Sequence, residues 1–324
     1  MRGLADYLDL TVEEAREQWR QILRRTPRPR QEHFTPVEVV LCYGLFYVVD
    51  PHRYGGGTID RAPEIVHRLA ELFVRPPGSI TSKMMNLDGS RANAAAHEWR
   101  FFVHLALEPG RFEHLYTTVM QAARELGVTS TGLPDFLSIE GGGDLELLGQ
   151  EELTDRARET VVVVSAAKRR ADLLASEAET MRLVEQAVRL GQHRFAHAVL
   201  VNYHDSCGFC GFSPRTLPGS GLLRASHIKP WAVSDDRERL DPRNGVAACP
   251  THDAAFDGGL ITVNGGLRIH RAPSLQESAR RDPGVEQYFG EAIKPALLMP
   301  AGAERPGDEY LRWHNDHVYL GKVA

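Results

Sequence analysis

The most specific chemistry in this sequence lies in two short pairs, Cys207 and Cys210 in CGFC and Cys249 and His252 in CPTH. A C-x-x-C pair set against a C-x-x-H pair suits tetrahedral zinc, which takes thiolate and imidazole donors. The gap between the pairs exceeds that of a small zinc finger, so the metal would staple two distant loops around an insert. That insert has a pattern of its own. LLRASHIKPW reads as an apolar strand ending in a histidine, and DPRNGVAAC as an Asn-Gly turn leading into a second short strand. CPTHDAAFDGG then starts a helix, with Pro250 near its first position and Gly258 and Gly259 closing it. The order strand, strand, helix sets His227, Asn244 and the pair His252/Asp253 at successive junctions.

Taken together, SHIKPW, RNG and CPTHDAAFDGGLITV resemble the HNH, or ββα-metal, endonuclease family, in the subgroup whose motif ends in F-D-x-G-L-I. The resemblance runs over roughly residues 185–324, from GQHRFAHAVLVNY to YLRWHNDHVY. It implies a DNA endonuclease that hydrolyses phosphodiester bonds with one divalent ion and a histidine base. On that pattern His227 is the general base, a role suited to an imidazole that titrates near neutral pH. Asn244 is the middle residue, which orients the loop and the base through side-chain hydrogen bonds. The usual third element puts a zinc ligand immediately before the ligand of the catalytic ion. Aligned so, Cys207, Cys210, Cys249 and His252 hold structural zinc, and Asp253 replaces the catalytic histidine as ligand for Mg²⁺, Mn²⁺ or another divalent ion, which prefer oxygen. Many members carry an acid just before the base, where this chain has Ser226, which opens a part for Asp257. Lys229 and Trp231 follow the base and could touch DNA backbone or pack as core. His314 and His317 read mainly as packing.

These junctions must be held by a folded scaffold, and the 324 residues are enough for two domains. Apolar residues make up 42% and charged residues 25%, a soluble globular balance. The formal charge of -5 gives no global pull toward polyanions, so DNA binding must rest on local basic patches. No run is apolar and long enough for a membrane span, and MRGLADYLDL lacks a signal peptide's pattern, which predicts a cytoplasmic protein. Cys42, inside VEVVLCYGLFYVV, reads as a small buried hydrophobe.

The expected fold class is α+β: a mainly helical domain over 1–137, a linker and connecting helix over 138–184, and the zinc-stapled nuclease over 185–324. Thr11 caps the first helix, Val37–Val49 and Ile65–Phe73 are apolar, and helical stretches follow in EWRFFVHLAL and FEHLYTTVMQAARELGV. Beyond the Gly-rich SIEGGGDLELLGQEEL, TVVVVS at 160–165 reads as a strand and 166–190 as a helix. The segment RPPGSITSKMMNLDGSR resembles regions beside HNH domains in McrA-like restriction proteins of bacteria that attack modified DNA. In it Arg75, Ser82, Lys83, Asn86 and Arg91 are candidates for phosphate contacts, as is Lys229 after the base. The combined expectation is a restriction endonuclease directed at methylated, hydroxymethylated or phosphorothioated duplex DNA, as a homodimer because cutting both strands needs two active sites. The alternatives are a nicking or homing-type HNH nuclease on unmodified DNA, and a zinc-stabilised DNA-binding protein whose nuclease centre is inactive.

Overall fold

The computed structural model describes residues 4–27, 32–91, 96–140, 177–214 and 222–323. The expected strand at 160–165, the first part of the helix expected at 166–190 and most of the Gly-rich stretch lie outside these residues. The chain forms two compact units, with main parts Met1–Leu145 and Gly191–Ala324.

The first unit is helical. Helix α1 (Val12–Leu23) starts at a capping box in which the Thr11 side chain accepts from Glu14 N–H while Glu14 reaches back. The same device, Thr35 with Glu38, opens α2 (Pro36–Gly44), all of whose residues are buried. Helices α3 (Glu64–Leu72), α4 (Pro77–Leu87), α5 (Ala96–Leu107) and α6 (Pro109–Glu125) follow, and a single turn, Ala5–Leu8, precedes α1. Its core is aromatic: Trp19, Tyr43, Phe73, Phe102, Phe112 and Tyr116 are buried, and Trp19 Nε1 donates to Val119 O at 2.9 Å. Cys42 lies in this core as expected, and burial pushes its thiol well above the ordinary range. Packing continues past Phe136 through buried Leu137 and Ile139, and Arg124 pairs with Glu140 at 2.7 Å.

Glu38 is fully buried, a placement that is costly for a carboxylate without partners. Burial would raise its pKa, but Arg25 (2.6 Å) and Arg75 (2.7 Å) outweigh that and hold it below the ordinary carboxylate range.

The second unit takes in the end of α7 (Glu177–Asn202), then β1 (Arg224–His227), α8 (Asp236–Leu240), β2 (Gly245–Ala248) and α9 (Pro250–Asp257). After these come β3 (Ile261–Val263), β4 (Ile269–Arg271), α10 (Pro273–Arg281), α11 (Pro283–Phe289) and α12 (Asp308–His317). Strands β1 and β2 pair antiparallel with Arg224 opposite Ala248 and His227 opposite Gly245, and β3 pairs with β4. Small two-stranded sheets among helices make the fold α+β, as expected. Among the described residues no helix is long and apolar enough to cross a membrane.

Asn244 and Gly245 do not form the turn that their sequence suggests. Asn244 ends a single 3-10 turn from Pro242, and Gly245 is extended (φ -134°, ψ 149°) at the start of β2. Glycine is needed there for space: a Cβ would lie 2.4 Å from Val199 Cγ2 and 2.8 Å from Phe195 Cζ, both on α7. Gly245→Ala is therefore expected to destabilise this unit by about 1–3 kcal/mol through overpacking. A lower urea midpoint with unchanged slope would register it, and an unchanged midpoint would contradict it.

Candidate metal centre and active site

The four predicted zinc ligands converge. One ligand atom each from Cys207, Cys210, Cys249 and His252 lies within 4.8 Å of all the others. His252 Nδ1 is 3.1 Å from Cys249 Sγ and 3.9 Å from Cys207 Sγ, bracketing the ~3.6 Å nitrogen–sulfur edge of a tetrahedron with ~2.3 Å zinc–sulfur and ~2.0 Å zinc–nitrogen arms. The other ring nitrogen, Nε2, lies 3.1 Å from Tyr288 O, to which only a protonated nitrogen can donate. That bond turns Nδ1 inward toward the cysteine sulfurs, the outer-shell arrangement by which metal-binding histidines are oriented.

The loop is built for this duty. Gly211 takes a left-handed backbone (φ 81°) that folds CGFC back on itself, so Gly211 N donates to Cys207 O at 2.8 Å and Phe212 N to Cys210 Sγ at 3.4 Å. Gly208 N donates to Ala247 O at 2.8 Å, tying the loop to β2, which leads to Cys249. The sulfurs share charge. Hydrogen bonds from Cys207 and Cys210 hold Cys249 far below the ordinary thiol range, and Cys207 lies above it because of Cys210 and Cys249. Burial opposes a proton on His252, but the Cys207 and Cys249 sulfurs overcome it and raise the ring to about 10. A set that draws in positive charge in this way has the donor chemistry zinc requires.

His227 closes β1 and is buried. Its ring stacks on Phe195 of α7 (centroids 3.8 Å, 7°) and meets Trp231 edge-on (5.6 Å, 79°). Nε2 lies 3.2 Å from Arg239 O. A carbonyl can only accept, so this bond places the proton on Nε2 and makes Nδ1 the basic nitrogen.

Asn244 is fully buried and stitches the segment that follows His227. Its Oδ1 accepts from Lys229 N at 2.8 Å, while Nδ2 donates to Lys229 O at 3.1 Å and Glu238 O at 3.0 Å. One amide thus holds both ends of the 229–238 loop. Lys229 itself faces Glu238 at 2.6 Å.

Helix α9 lies against β1 with matched spacing. Asp253 and Asp257 are one helical turn apart, ~6 Å along the axis, and Arg224 and Ser226 are two strand residues apart, ~6.6 Å. They meet pair by pair: Arg224 Nη1 is 3.1 Å from Asp253 Oδ2, and Ser226 Oγ donates to Asp257 Oδ1 at 3.0 Å. These contacts set Asp253 against β1 from α9, while the His227 ring meets Phe195 of α7 and Trp231 of the loop after the strand. Strand and helix periods could have foretold the Arg224 and Ser226 partnerships. The stacking on Phe195 and the carbonyl of Arg239 had no local signal.

His314 is a packing residue, as its setting in the sequence suggested. It stacks on Phe256 (4.0 Å, 6°), and its nitrogens lie 2.8 Å from Thr262 Oγ1 and 3.1 Å from Phe256 O. Burial lowers its pKa to about 4, so it is neutral at neutral pH. His317 lies on the exposed end of α12, stacked on Trp313.

In the first unit, Arg75 is placed inward and not on the surface that phosphate binding would require. Its guanidinium serves Glu38, donates to Glu32 O (2.9 Å) and His33 O (3.3 Å), and covers the Phe34 ring at 3.9 Å. Lys83 pairs with Glu98 and approaches the same ring at 4.7 Å. Ser82 and Asn86 are half-buried on α4, and Arg91 beyond it is exposed.

Comparison with known proteins agrees with this geometry in extent and kind. Residues 207–264 match the model of a family described as HNH endonuclease, a span that begins at the first zinc-type ligand and ends after β3. No curated relative matches the chain. The protein carries an HNH endonuclease domain at 207–264, with three cysteines and one histidine gathered in a cluster that could hold a metal ion.

Proposed function

We propose that the protein is a metal-dependent DNA endonuclease, with His227 as general base, directed by its helical unit to duplex DNA that carries a modified base or backbone. The observation that carries the nuclease reading is the Nε2 contact of His227 with Arg239 O, inside a segment that matches the HNH endonuclease family. Zinc at Cys207, Cys210, Cys249 and His252 holds the loop, β2 and the start of α9 together. Nδ1 of His227 accepts the proton of a water molecule as its oxygen attacks phosphorus in line, and the ring returns that proton to solvent. Asn244 keeps the loop after the base in place. Asp253 is an oxygen donor already facing a cation, Arg224, and is the residue we assign to the catalytic ion, with Asp257 beside it on Ser226. When bound, Mg²⁺ or Mn²⁺ supplies charge that polarises the phosphate and stabilises the leaving oxygen.

The restriction reading rests on the likeness of RPPGSITSKMMNLDGSR to segments of McrA-like proteins. Ser82, Asn86 and Arg91 are the members of that segment we assign to DNA backbone, and a homodimer would supply the second cut. One plasmid prepared plain, methylated, hydroxymethylated and phosphorothioated tests this with Mg²⁺ and Mn²⁺. At least one modified form is expected to be cut at least about tenfold faster than the plain form, a transition-state difference of ~1.4 kcal/mol. Equal rates on all forms would replace restriction of modified DNA with a general nicking activity.

A further inference from the structure

Nothing in the family pattern assigns a part to the segment between His227 and Asn244 beyond bearing the loop. Its side chains nevertheless converge on the base. Arg239 is buried at 8% exposure although it carries a full charge, and its main-chain carbonyl is the one that meets His227 Nε2. The same residue's side chain turns back along the loop. Its Nε donates to Trp231 O at 3.1 Å, and its guanidinium carbon lies 5.3 Å from the Trp231 ring. Trp231 is in turn the residue whose ring meets the His227 imidazole edge-on. Backbone and side chain of Arg239 therefore act on the base from two directions, one directly and one through Trp231.

The arrangement answers a physical problem. A carbonyl at the end of a loop is a poor anchor unless the loop is rigid, because a small rotation lengthens the hydrogen bond and lets the imidazole choose the other tautomer. The Nδ1–H tautomer would present a donor where the reaction needs an acceptor. Asn244 fixes Lys229 and Glu238, and Lys229 is paired with Glu238, but both fasten the loop one residue short of the carbonyl. Arg239 itself is tied by its N–H to Asp235 O at 2.9 Å and by its side chain to Trp231. Burying a guanidinium is costly and persists where geometry repays it.

We infer that Arg239 and Trp231 are positioning residues for His227: the clamp between them holds the Arg239 carbonyl on Nε2 and so keeps Nδ1 as the proton acceptor. This rests on the nuclease reading above. The clamp itself is tested without relying on cleavage.

The experiment uses full-length, zinc-loaded protein and the variants Arg239→Met, Arg239→Lys, Trp231→Phe and His227→Ala. Nitrogen-15 spectra of the imidazoles, with His227→Ala identifying the signals, are expected to show the wild-type ring as a single Nε2–H tautomer. In Arg239→Met those shifts are expected to move toward an average of the two tautomers, with zinc content unchanged. Cleavage turnover is expected to fall about 10–100-fold at constant KM, the usual cost of losing an orienting outer partner. Arg239→Lys restores one donor to Trp231 O and is expected to recover part of both the shift and the rate. Trp231→Phe keeps an aromatic edge beside the ring and is expected to retain the single tautomer with a loss under about tenfold. Unchanged His227 shifts in folded Arg239→Met would overturn the inference, whatever its rate. So would a rate loss in that variant with the tautomer intact, which would mark Arg239 as a support of the fold alone. If His227→Ala cleaves as well as wild type, the nuclease reading fails and the spectra alone decide the clamp.

Discussion

His227→Ala is expected to lower DNA cleavage by about 10²–10⁴-fold while zinc content and DNA affinity stay near those of wild type. The imidazole contributes two things. Its Nδ1 is the proton acceptor proposed above, and its ring fills the space between Phe195 and Trp231. Removing it leaves a cavity, so a loss of stability accompanies the loss of rate, on the order of 1–3 kcal/mol for a buried ring of this size. The two effects separate in a chemical denaturation curve and a single-turnover assay on the same protein. His227→Gln fills much of the space without supplying a base. It is expected to recover stability and not rate. Recovery of both would mean that the ring is needed for packing only.

Removal of one zinc ligand is expected to act on the whole C-terminal unit. Structural zinc contributes apparent binding free energies of ~10–16 kcal/mol in small zinc domains, as large as the ~5–15 kcal/mol stability of an ordinary domain. The cluster joins the CGFC loop, the end of β2 and the start of α9. The β1–β2 pairing would otherwise rest on four residue pairs and on packing against α7 and α9. Cys249→Ser and His252→Ala are therefore each expected to lose the ion, as measured by elemental analysis, and to abolish the cooperative melting of this unit. Because the ligands bind zinc only when deprotonated, zinc retention in wild type is expected to fall as pH falls. His252→Ala that stayed folded and zinc-loaded while cleavage vanished would exchange the roles of His252 and Asp253.

How far the sequence could be read depended on how local each cause was. The cluster of three cysteines and one histidine was legible because four ligands of two types in two tight spacings have few other uses. The helix starts at Val12 and Pro250 were legible from their caps and prolines. Gly245 was misread as a turn residue because Asn-Gly is a strong local signal, whereas its reason is the approach of Phe195 and Val199 from a helix far back in the chain. Arg75 was misread as a surface cation for a similar reason. Val74 before it takes a left-handed backbone (φ 54°), unusual for a β-branched residue, and the chain then carries the guanidinium to buried Glu38. Ser226 stood out as a departure from the family pattern, and its partner Asp257 follows from the matching periods of β1 and α9.

The most direct test of the central claim is the conversion of supercoiled plasmid to nicked or linear product by full-length protein purified without chelator, with and without added Mg²⁺ or Mn²⁺. Cleavage is expected to require an added divalent ion in wild type and to be lost in His227→Ala made and assayed alongside it. Cleavage that needs no added ion, or that is equal in wild type and His227→Ala, would contradict it, as would intact plasmid with every ion and every modified substrate.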